Sequence, residues 1–154
     1  MAAIFISYSG RNIEPVKEIV NFIQAEIGRD HVWFAPDQYH VEQDVFEQIS
    51  AAIYHASIVV NVVSPETVSL FRGRSRKMKR ENLSDQLLRY ERELAIHLRK
   101  SIINVVLNGP VKMPVEFAKY PLVRIVEPTN SLINMNAMRT LIELLRGVES
   151  EQEV

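Results

Sequence analysis

A glutamate in the second half of the chain stands where the surrounding pattern calls for an apolar residue. The segment from about Ser84 to Arg99 has helical spacing. Its apolar residues form one stripe: Leu87, Leu88, Leu94, Ala95 and Leu98. At about 100° per residue, with Leu87 at zero, this stripe spans roughly −20° to 100°, and Glu91 falls at about 40°. A carboxylate facing a core is disfavoured unless it is paired, hydrogen-bonded or lines a cavity. Glu91 is therefore a candidate functional residue.

The burial of Glu91 also has a purely structural interpretation. A buried cap, or an ion pair with a nearby arginine such as Arg11, would explain an inward-facing carboxylate without any chemistry. The neighbouring Glu93 falls at about 240°, on the opposite face of the helix, where we expect contact with water. The helix pattern thus selects Glu91 over Glu93 as the buried carboxylate, and it leaves both interpretations of Glu91 open.

Several common kinds of site have no motif in this sequence. There is no Gly-x-Gly-x-x-Gly and no Gly-Lys-Ser/Thr loop, so the usual phosphate-binding loops are missing, and there is no Gly-x-Ser-x-Gly nucleophile turn. The chain has no cysteine, which excludes disulfides, zinc–cysteinate sites and thiol catalysis. Its histidines fall on different predicted elements without metal-ligand spacing: His31, His40, His55 and His97. We expect no metal site and no resident cofactor.

The elements that must position Glu91 alternate between strands and helices. Short apolar runs typical of buried strands occur at residues 3–7, 31–34, 57–63, 102–107 and 122–126. Segments with helical spacing lie between them and after the last one. Alternation of this kind favours strand–helix–strand units with a parallel sheet covered on both faces. The sequence predicts an α/β, flavodoxin-like, three-layer fold with a five-stranded, mainly parallel sheet.

Individual residues mark the predicted helix ends. Pro15 suits the first turn of the first helix, and Gly28 suits its end. Asp44, followed three residues later by Glu47, predicts the start of the second helix. The last helix is predicted to begin at a cap formed by Asn130 or Ser131 and to end at Gly147. We assign residues 1–148 to one domain and residues 149–154 to a polar tail or the start of a linker.

Composition is that of an ordinary globular domain without a strong electrostatic field. The 154 residues are 47% hydrophobic and 24% charged, and the formal net charge is −1. The balanced charge gives no general attraction to nucleic acid or to membranes, and no apolar run approaches the roughly 20 residues of a membrane helix. With no signal-peptide features at the N-terminus, we expect a cytoplasmic protein that binds neither a membrane nor nucleic acid.

Three segments in order resemble a known family. Residues 5–9, Phe-Ile-Ser-Tyr-Ser, resemble the first strand of Toll/interleukin receptor (TIR) domains. Residues 32–37, Val-Trp-Phe-Ala-Pro-Asp, resemble the second strand and the loop after it in bacterial members, and residues 49–64 resemble the following helix and strand. Enzymatic members carry a glutamate on the helix before the fourth strand. Counting back from Ile102-Ile103 and Lys100, with Ala95 one turn after the glutamate, selects Glu91, the residue that helical phase also selects.

The resemblance implies an enzyme that cleaves NAD+ at the nicotinamide–ribose bond. Glu91 would be its catalytic carboxylate, and NAD+ its substrate. The implied substrate-binding residues lie at the carboxyl ends of the first two strands: Ser7, Tyr8, Ser9, Trp33, Phe34 and Asp37. Trp33 and Phe34 have an alternative role as core residues, since aromatic side chains are common in strands. The product would be ADP-ribose or a cyclic isomer, made in bacterial immune or toxin-like signalling.

Other interpretations are kept beside this one. A non-catalytic TIR module would act only by self-association with other TIR domains, and it would need no carboxylate at Glu91. The two functions are compatible, because members of the family often assemble an active site across two domains. A different flavodoxin-like nucleotide-binding protein would leave the paired strand motifs unexplained.

One basic segment is not accounted for by the resemblance. Residues 72–80 carry six arginines and lysines, which could contact phosphates, a nucleic acid or an anionic partner. No aromatic residues are interleaved for stacking on single-stranded bases. A solvated loop is the interpretation we favour.

Overall fold

The computed structural model describes residues 3–34, 44–68, 83–129 and 131–152, and these contain five strands and five α-helices. The strands are β1 (Ile4–Ser7), β2 (Val32–Trp33), β3 (Ile58–Val63), β4 (Ser101–Leu107) and β5 (Leu122–Ile125). The helices are α1 (Ile13–Ile27), α2 (Val45–His55), α3 (Leu83–His97), α4 (Val115–Ala118) and α5 (Met135–Gln152). Short 3₁₀ turns occur at Gly10–Asn12, Arg29–His31 and Leu132–Asn134.

All five strands belong to one parallel sheet with the order β2-β1-β3-β4-β5. From β1, the chain first adds β2 at one edge of the sheet. It then returns to the other side of β1, where β3, β4 and β5 follow in sequence order. The predicted α/β, flavodoxin-like fold with a five-stranded parallel sheet is confirmed. In this order the direction of winding reverses between β1 and β3, the place where sheets of this type bind ligands.

Two hydrophobic clusters, one on each face of the sheet, make up the core. On one face, α1 and α5 pack on alternate strand residues such as Ile4, Ile6 and Val60. On the other face, α2, α3 and α4 pack on the intervening residues, among them Phe5 and Val59. Because every residue of β1 and β3 is buried, both strands are covered on both faces, as their continuous apolar runs predicted.

Local chemistry sets the helix ends at Asp44 and Gly28. The Asp44 side chain accepts hydrogen bonds from the backbone N–H groups of Phe46 and Glu47, which confirms it as the cap of α2. Gly28 ends α1 with a φ of 120°, a conformation that side chains with a Cβ rarely adopt. The prediction that the last helix ends at Gly147 was wrong. α5 continues to Gln152, so the first residues of the predicted polar tail are helical.

In the part of the chain that the structure describes, we find no helix with both the length and the hydropathy needed to cross a membrane.

Candidate functional site

The carboxyl group of Glu91 lies against the end of the central strand β1. α3 packs across β1 and α2, and the hydroxyl of Ser7, the last residue of β1, donates a hydrogen bond of 3.0 Å to Oε2 of Glu91. Ser7 is fully buried and Glu91 is only 5% exposed. The structure therefore brings two of the sequence-predicted site residues together, at the edge of the sheet where ligands bind in this class of fold.

Arg11, the ion-pair partner considered for Glu91, has another partner. Its guanidinium lies 3.1 Å from Oδ2 of Asp85, near the start of α3, and the pair is partly open to solvent. This pair ties the turn after β1 to α3 at the surface, and the hydrogen bond to Glu91 comes from the neutral Ser7 hydroxyl. Glu91 is therefore not the ion-pair partner of Arg11, and Arg92 is the nearby arginine that acts on its carboxyl.

The environment of Glu91 favours its protonated form. Burial raises the pKa of the Glu91 carboxyl from 4.5 to about 8, because a charge is poorly solvated there. The hydrogen bond from Ser7 and the positive charge of Arg92 act in the opposite direction and lower the pKa, but less than burial raises it. A carboxyl group with a pKa near neutrality can exchange protons under physiological conditions, as acid–base and electrostatic catalysts do.

The buried face of α3 extends further around the helix than its apolar residues predicted. Its fully or largely buried residues are Leu88, Arg89, Glu91, Arg92 and Ala95. On the angular scale used above, these span roughly 40° to 200°, so Glu91 lies at one edge of the buried arc and not at its centre. Glu93 is exposed, as expected. The apolar stripe located Glu91 correctly but missed two arginines, because the pattern assigned charged residues to the wet face.

Arg92 is the deepest of these missed residues, with 1% of its surface exposed. Its Nε donates to Oδ1 of Asn61 at 3.0 Å, Nη1 to the carbonyl of Thr67 at 3.0 Å, and Nη2 to the carbonyl of Val62 at 3.1 Å. Burial lowers the pKa of Arg92 to about 9, while the nearby Glu91 raises it and Arg89 lowers it. The guanidinium stays protonated at neutral pH, because its pKa remains above 7.

A row of polar side chains runs beneath α3 across three neighbouring strands. Ser7 of β1 is in register with Asn61 of β3, and Asn61 is in register with Asn104 of β4. Asn61 Nδ2 donates to Oδ1 of Asn104 at 3.0 Å, and Asn104 Nδ2 donates to the carbonyl of Phe117 at 2.9 Å. All three row residues are fully buried. Hydrogen bonds therefore connect α4 through Asn104 to Asn61, the register partner of Ser7.

This polar row was not predicted, although the sequence contains a feature that indicates it. Asn61 and Asn104 each interrupt a run of aliphatic residues, Ile-Val-Val-Asn-Val-Val and Ile-Ile-Asn-Val-Val. An amide in the middle of a strand buried on both faces must have hydrogen-bond partners. Two such residues on adjacent strands are therefore expected to form a hydrogen bond with each other.

The three predicted aromatic residues divide between the two faces of the sheet. Trp33 stacks on Phe5, with ring centroids 4.7 Å apart, on the same face as Ser7 and α3. Tyr8 and the buried Phe34 approach each other on the opposite face, with centroids 5.3 Å apart. Phe34 thus fits its alternative role as a core residue. Trp33 and Tyr8 are partly exposed and remain predicted substrate contacts.

Two predicted site residues remain, and the structure describes only one of them, Ser9. Ser9 is buried, and its hydroxyl accepts a hydrogen bond of 3.3 Å from the N–H of Arg11, so that it caps the 3₁₀ turn after β1. This local role accounts for the residue type at Ser9. Asp37 and the basic segment 72–80 lie outside the described residues, and their predicted roles stay predictions.

Comparisons with known proteins agree with this architecture. A family model described as TIR domain matches residues 4–131. Among solved structures, the chain is similar to a metazoan TIR-STING receptor from C. gigas, solved in complex with 2',3'-cGAMP, with a TM-score of 0.61 and 20% sequence identity. The match covers 90% of this chain and 38% of that one, so the chain corresponds to well under half of that receptor's length. Comparison with curated proteins finds no match.

The family match includes both residues of the Ser7–Glu91 contact and every strand of the sheet. The fold, the strand order and the matched residues lead to one conclusion: the chain belongs to the TIR domain family.

Proposed function

We propose that the protein cleaves the nicotinamide–ribose bond of NAD+ and that Glu91 is its catalytic carboxylate. The observation that carries the proposal is the Ser7–Glu91 contact, a buried carboxyl group with a pKa of about 8 at the carboxyl end of β1. NAD+ is the substrate in this proposal, and the reaction requires no metal or resident cofactor.

The chemistry requires a negative charge beside the ribose. As the bond from C1′ to the pyridinium nitrogen breaks, its electron pair moves to the nitrogen, and neutral nicotinamide leaves. The ribose then carries positive charge in an oxocarbenium-like transition state, which a nearby carboxylate stabilises. Attack by water at C1′ gives ADP-ribose and releases one proton. Attack by a nucleophilic atom of the same molecule gives a cyclic isomer.

The environment of Glu91 suits a cationic substrate. The free carboxyl is largely protonated at neutral pH, because burial raises its pKa. A pyridinium group arriving beside it favours the ionised form, since an opposite charge within a few ångströms lowers the pKa of a carboxyl. Binding of NAD+ would therefore generate the charge that the transition state needs, in a place where little water competes with it.

Ser7 has two functions in this proposal. Its hydroxyl donates to Oε2 of Glu91 and so fixes the orientation of the carboxylate. Being the last residue of β1, it also marks the edge that faces the ligand. Tyr8 and Trp33, both partly exposed near this edge, are the aromatic residues proposed to contact the nicotinamide riboside.

The cellular setting belongs to the same proposal. We place the reaction in the cytoplasm, in a bacterial immune or toxin-like signalling system, with other TIR domains as partners in a homotypic assembly. The alternative function is a non-catalytic module that acts through this self-association alone. It differs from the first in one measurable respect, the release of nicotinamide.

Chromatography of NAD+ incubated with the purified protein tests the proposal. Native protein, Glu91→Gln and Glu93→Gln are compared, each at a low and a high protein concentration. Glu93→Gln is the matched control, because it removes an exposed carboxylate two residues away on the same helix. We expect nicotinamide from the native protein and from Glu93→Gln, and a loss of at least about 100-fold with Glu91→Gln.

The outcome also separates the two functions and the two products. ADP-ribose as the co-product identifies a hydrolase, and a product of the same composition without the added water identifies a cyclase. No nicotinamide from concentrated native protein would instead support the self-association module, with Glu91 as a buried structural residue.

A further inference from the structure

Arg92, the residue after Glu91, is a buried charged side chain. Removing a guanidinium from water is unfavourable by several kcal/mol unless its donors are satisfied. Each of its three nitrogen atoms donates a hydrogen bond to β3 or to the turn after it, and the acceptors of these bonds are Asn61, Val62 and Thr67. These three hydrogen bonds fix the position of the guanidinium relative to β3 and its following turn.

Glu91 and Arg92 contact neighbouring strands at the same level of the sheet. Glu91 accepts from Ser7 of β1, and Arg92 donates to Asn61 of β3. Ser7 and Asn61 are register partners, on strands separated by about 4.8 Å. Two consecutive helix residues therefore bind a matched pair of strand residues. A shift of α3 by one residue would turn it by about 100° and break both contacts.

The other charged groups near Glu91 are already paired or directed elsewhere. From the turn after β1, Arg11 pairs with Asp85. α2 contacts α3 through Phe46 and Ser50, which meet the ring and the hydroxyl of Tyr90. β1 contributes the neutral hydroxyl of Ser7.

Within α3 itself, Arg89 is buried as well, and Arg92 is the neighbouring charge that lowers the pKa of Glu91. Arg92 is thus the charge to vary in an experiment.

We propose that Arg92 is a positioning residue for Glu91, which locks the turn of α3 that carries the carboxylate onto β3 and holds a fixed positive charge beside it. The proposal rests on the proposed function for its effect on catalysis. It assigns two separable roles to one side chain. The hydrogen bonds set where the carboxylate is, and the charge sets how readily it ionises.

Three variants separate these roles. Arg92→Leu removes both the hydrogen bonds and the charge, and Arg92→Lys keeps the charge but loses the forked geometry of the guanidinium. Asn104→Ala is the control, because it removes a hydrogen bond from the same polar row and no charge. For each protein, the pH midpoint of Glu91 is measured by carbon-13 NMR of its side-chain carboxyl, and kcat and KM for nicotinamide release are measured across pH.

In Arg92→Leu, we expect the midpoint of Glu91 to rise by about 1 to 3 pH units, because the charge that favours the carboxylate is gone. In Arg92→Lys and Asn104→Ala, the midpoint should stay within a few tenths of the native value, roughly the precision of such titrations. Arg92→Lys should nevertheless lower kcat by about 10- to 100-fold with little change in KM, since the carboxylate is misplaced.

A native midpoint in Arg92→Leu would overturn the assignment of charge, and so would an equal rise in Arg92→Lys and Arg92→Leu. A native kcat in Arg92→Lys would overturn the assignment of position. If Arg92→Leu does not fold, Arg92→Gln, which removes the charge but keeps an amide donor, replaces it in the titration, and Arg92→Lys still decides the assignment of position. The NMR titration needs no NAD+, so an inactive native protein would contradict the proposed function while leaving the charge of Arg92 open to test.

Discussion

Protonation of the buried carboxyl of Glu91 affects both the proposed chemistry and the stability of the folded domain. The pKa of Glu91 is raised to about 8 in the folded protein, against 4.5 for an ordinary glutamate. Between these two values the folded state binds the proton and the unfolded state does not. The contribution of Glu91 to the free energy of unfolding is therefore fully present below about pH 4.5 and is lost as the pH rises through 8.

Glu91→Gln should remove this pH dependence, because a glutamine cannot ionise. Between pH 5 and pH 8, we expect the free energy of unfolding of the variant to gain on that of the native protein by on the order of 3 kcal/mol. Urea unfolding at several pH values measures this difference. Glu93→Gln, exposed on the same helix, should show no comparable trend. A constant difference between Glu91→Gln and the native protein would show that the Glu91 pKa is not raised.

At the scale of single residues, the sequence predicted the burial of Glu91 but not the burial of Arg92. Glu91 could be found because a carboxylate within an apolar stripe is conspicuous. Arg92 lies about 100° further around the helix, beyond the stripe, where a charged residue is normally exposed. Its burial depends on acceptors contributed by β3, which is 30 residues away along the chain at Val62. Helical periodicity contains no information about such partners.

Among the elements, β3 and β4 are joined by side chains as well as by their backbones. Asn104 connects the amide of Asn61 to the carbonyl of Phe117 in α4, and it does so without access to water. The row therefore holds α4 against the sheet and supports the acceptor of Arg92. A substitution of Asn104 should therefore lower the free energy of unfolding of the domain more than it changes the environment of Glu91.

Asn104→Ala should lower the free energy of unfolding by about 1 to 3 kcal/mol, because it leaves a buried donor on Asn61 without its hydrogen-bond partner and removes one of the donors to the carbonyl of Phe117. Asn104→Asp tests the same position with a charge and should be worse still. Denaturant titration of both variants checks the order. Native stability in Asn104→Ala would mean that water or a rearranged amide replaces the lost bonds.

Strands and helix starts could be predicted to within a few residues, since each depends on local pattern. β2 was the least accurate, with four residues predicted and two observed as Val32–Trp33. The end of α5 was missed because Gly147 allows a helix to stop without requiring it. Gly147 lies within α5, and a Cβ atom at this position would meet no atom of another described element within 4 Å.

For the whole molecule, the fold and the family are established, and assembly is the property still to be measured. In the proposed homotypic assembly, a second copy of the domain would contribute to the site at Ser7 and Glu91. We therefore expect the rate of nicotinamide release per protein chain to rise with protein concentration, in step with self-association followed by sedimentation velocity. A rate per chain that is independent of concentration while the protein self-associates would show that one domain contains the whole active site.

The most direct test of the central claim is the initial rate of nicotinamide release from NAD+ at pH 8, for the native protein and Glu91→Gln at equal, high concentration. The account predicts release by the native protein and a loss of at least about 100-fold in the variant. Equal rates for the two proteins would contradict it, because the buried carboxylate beside Ser7 would then have no part in the reaction.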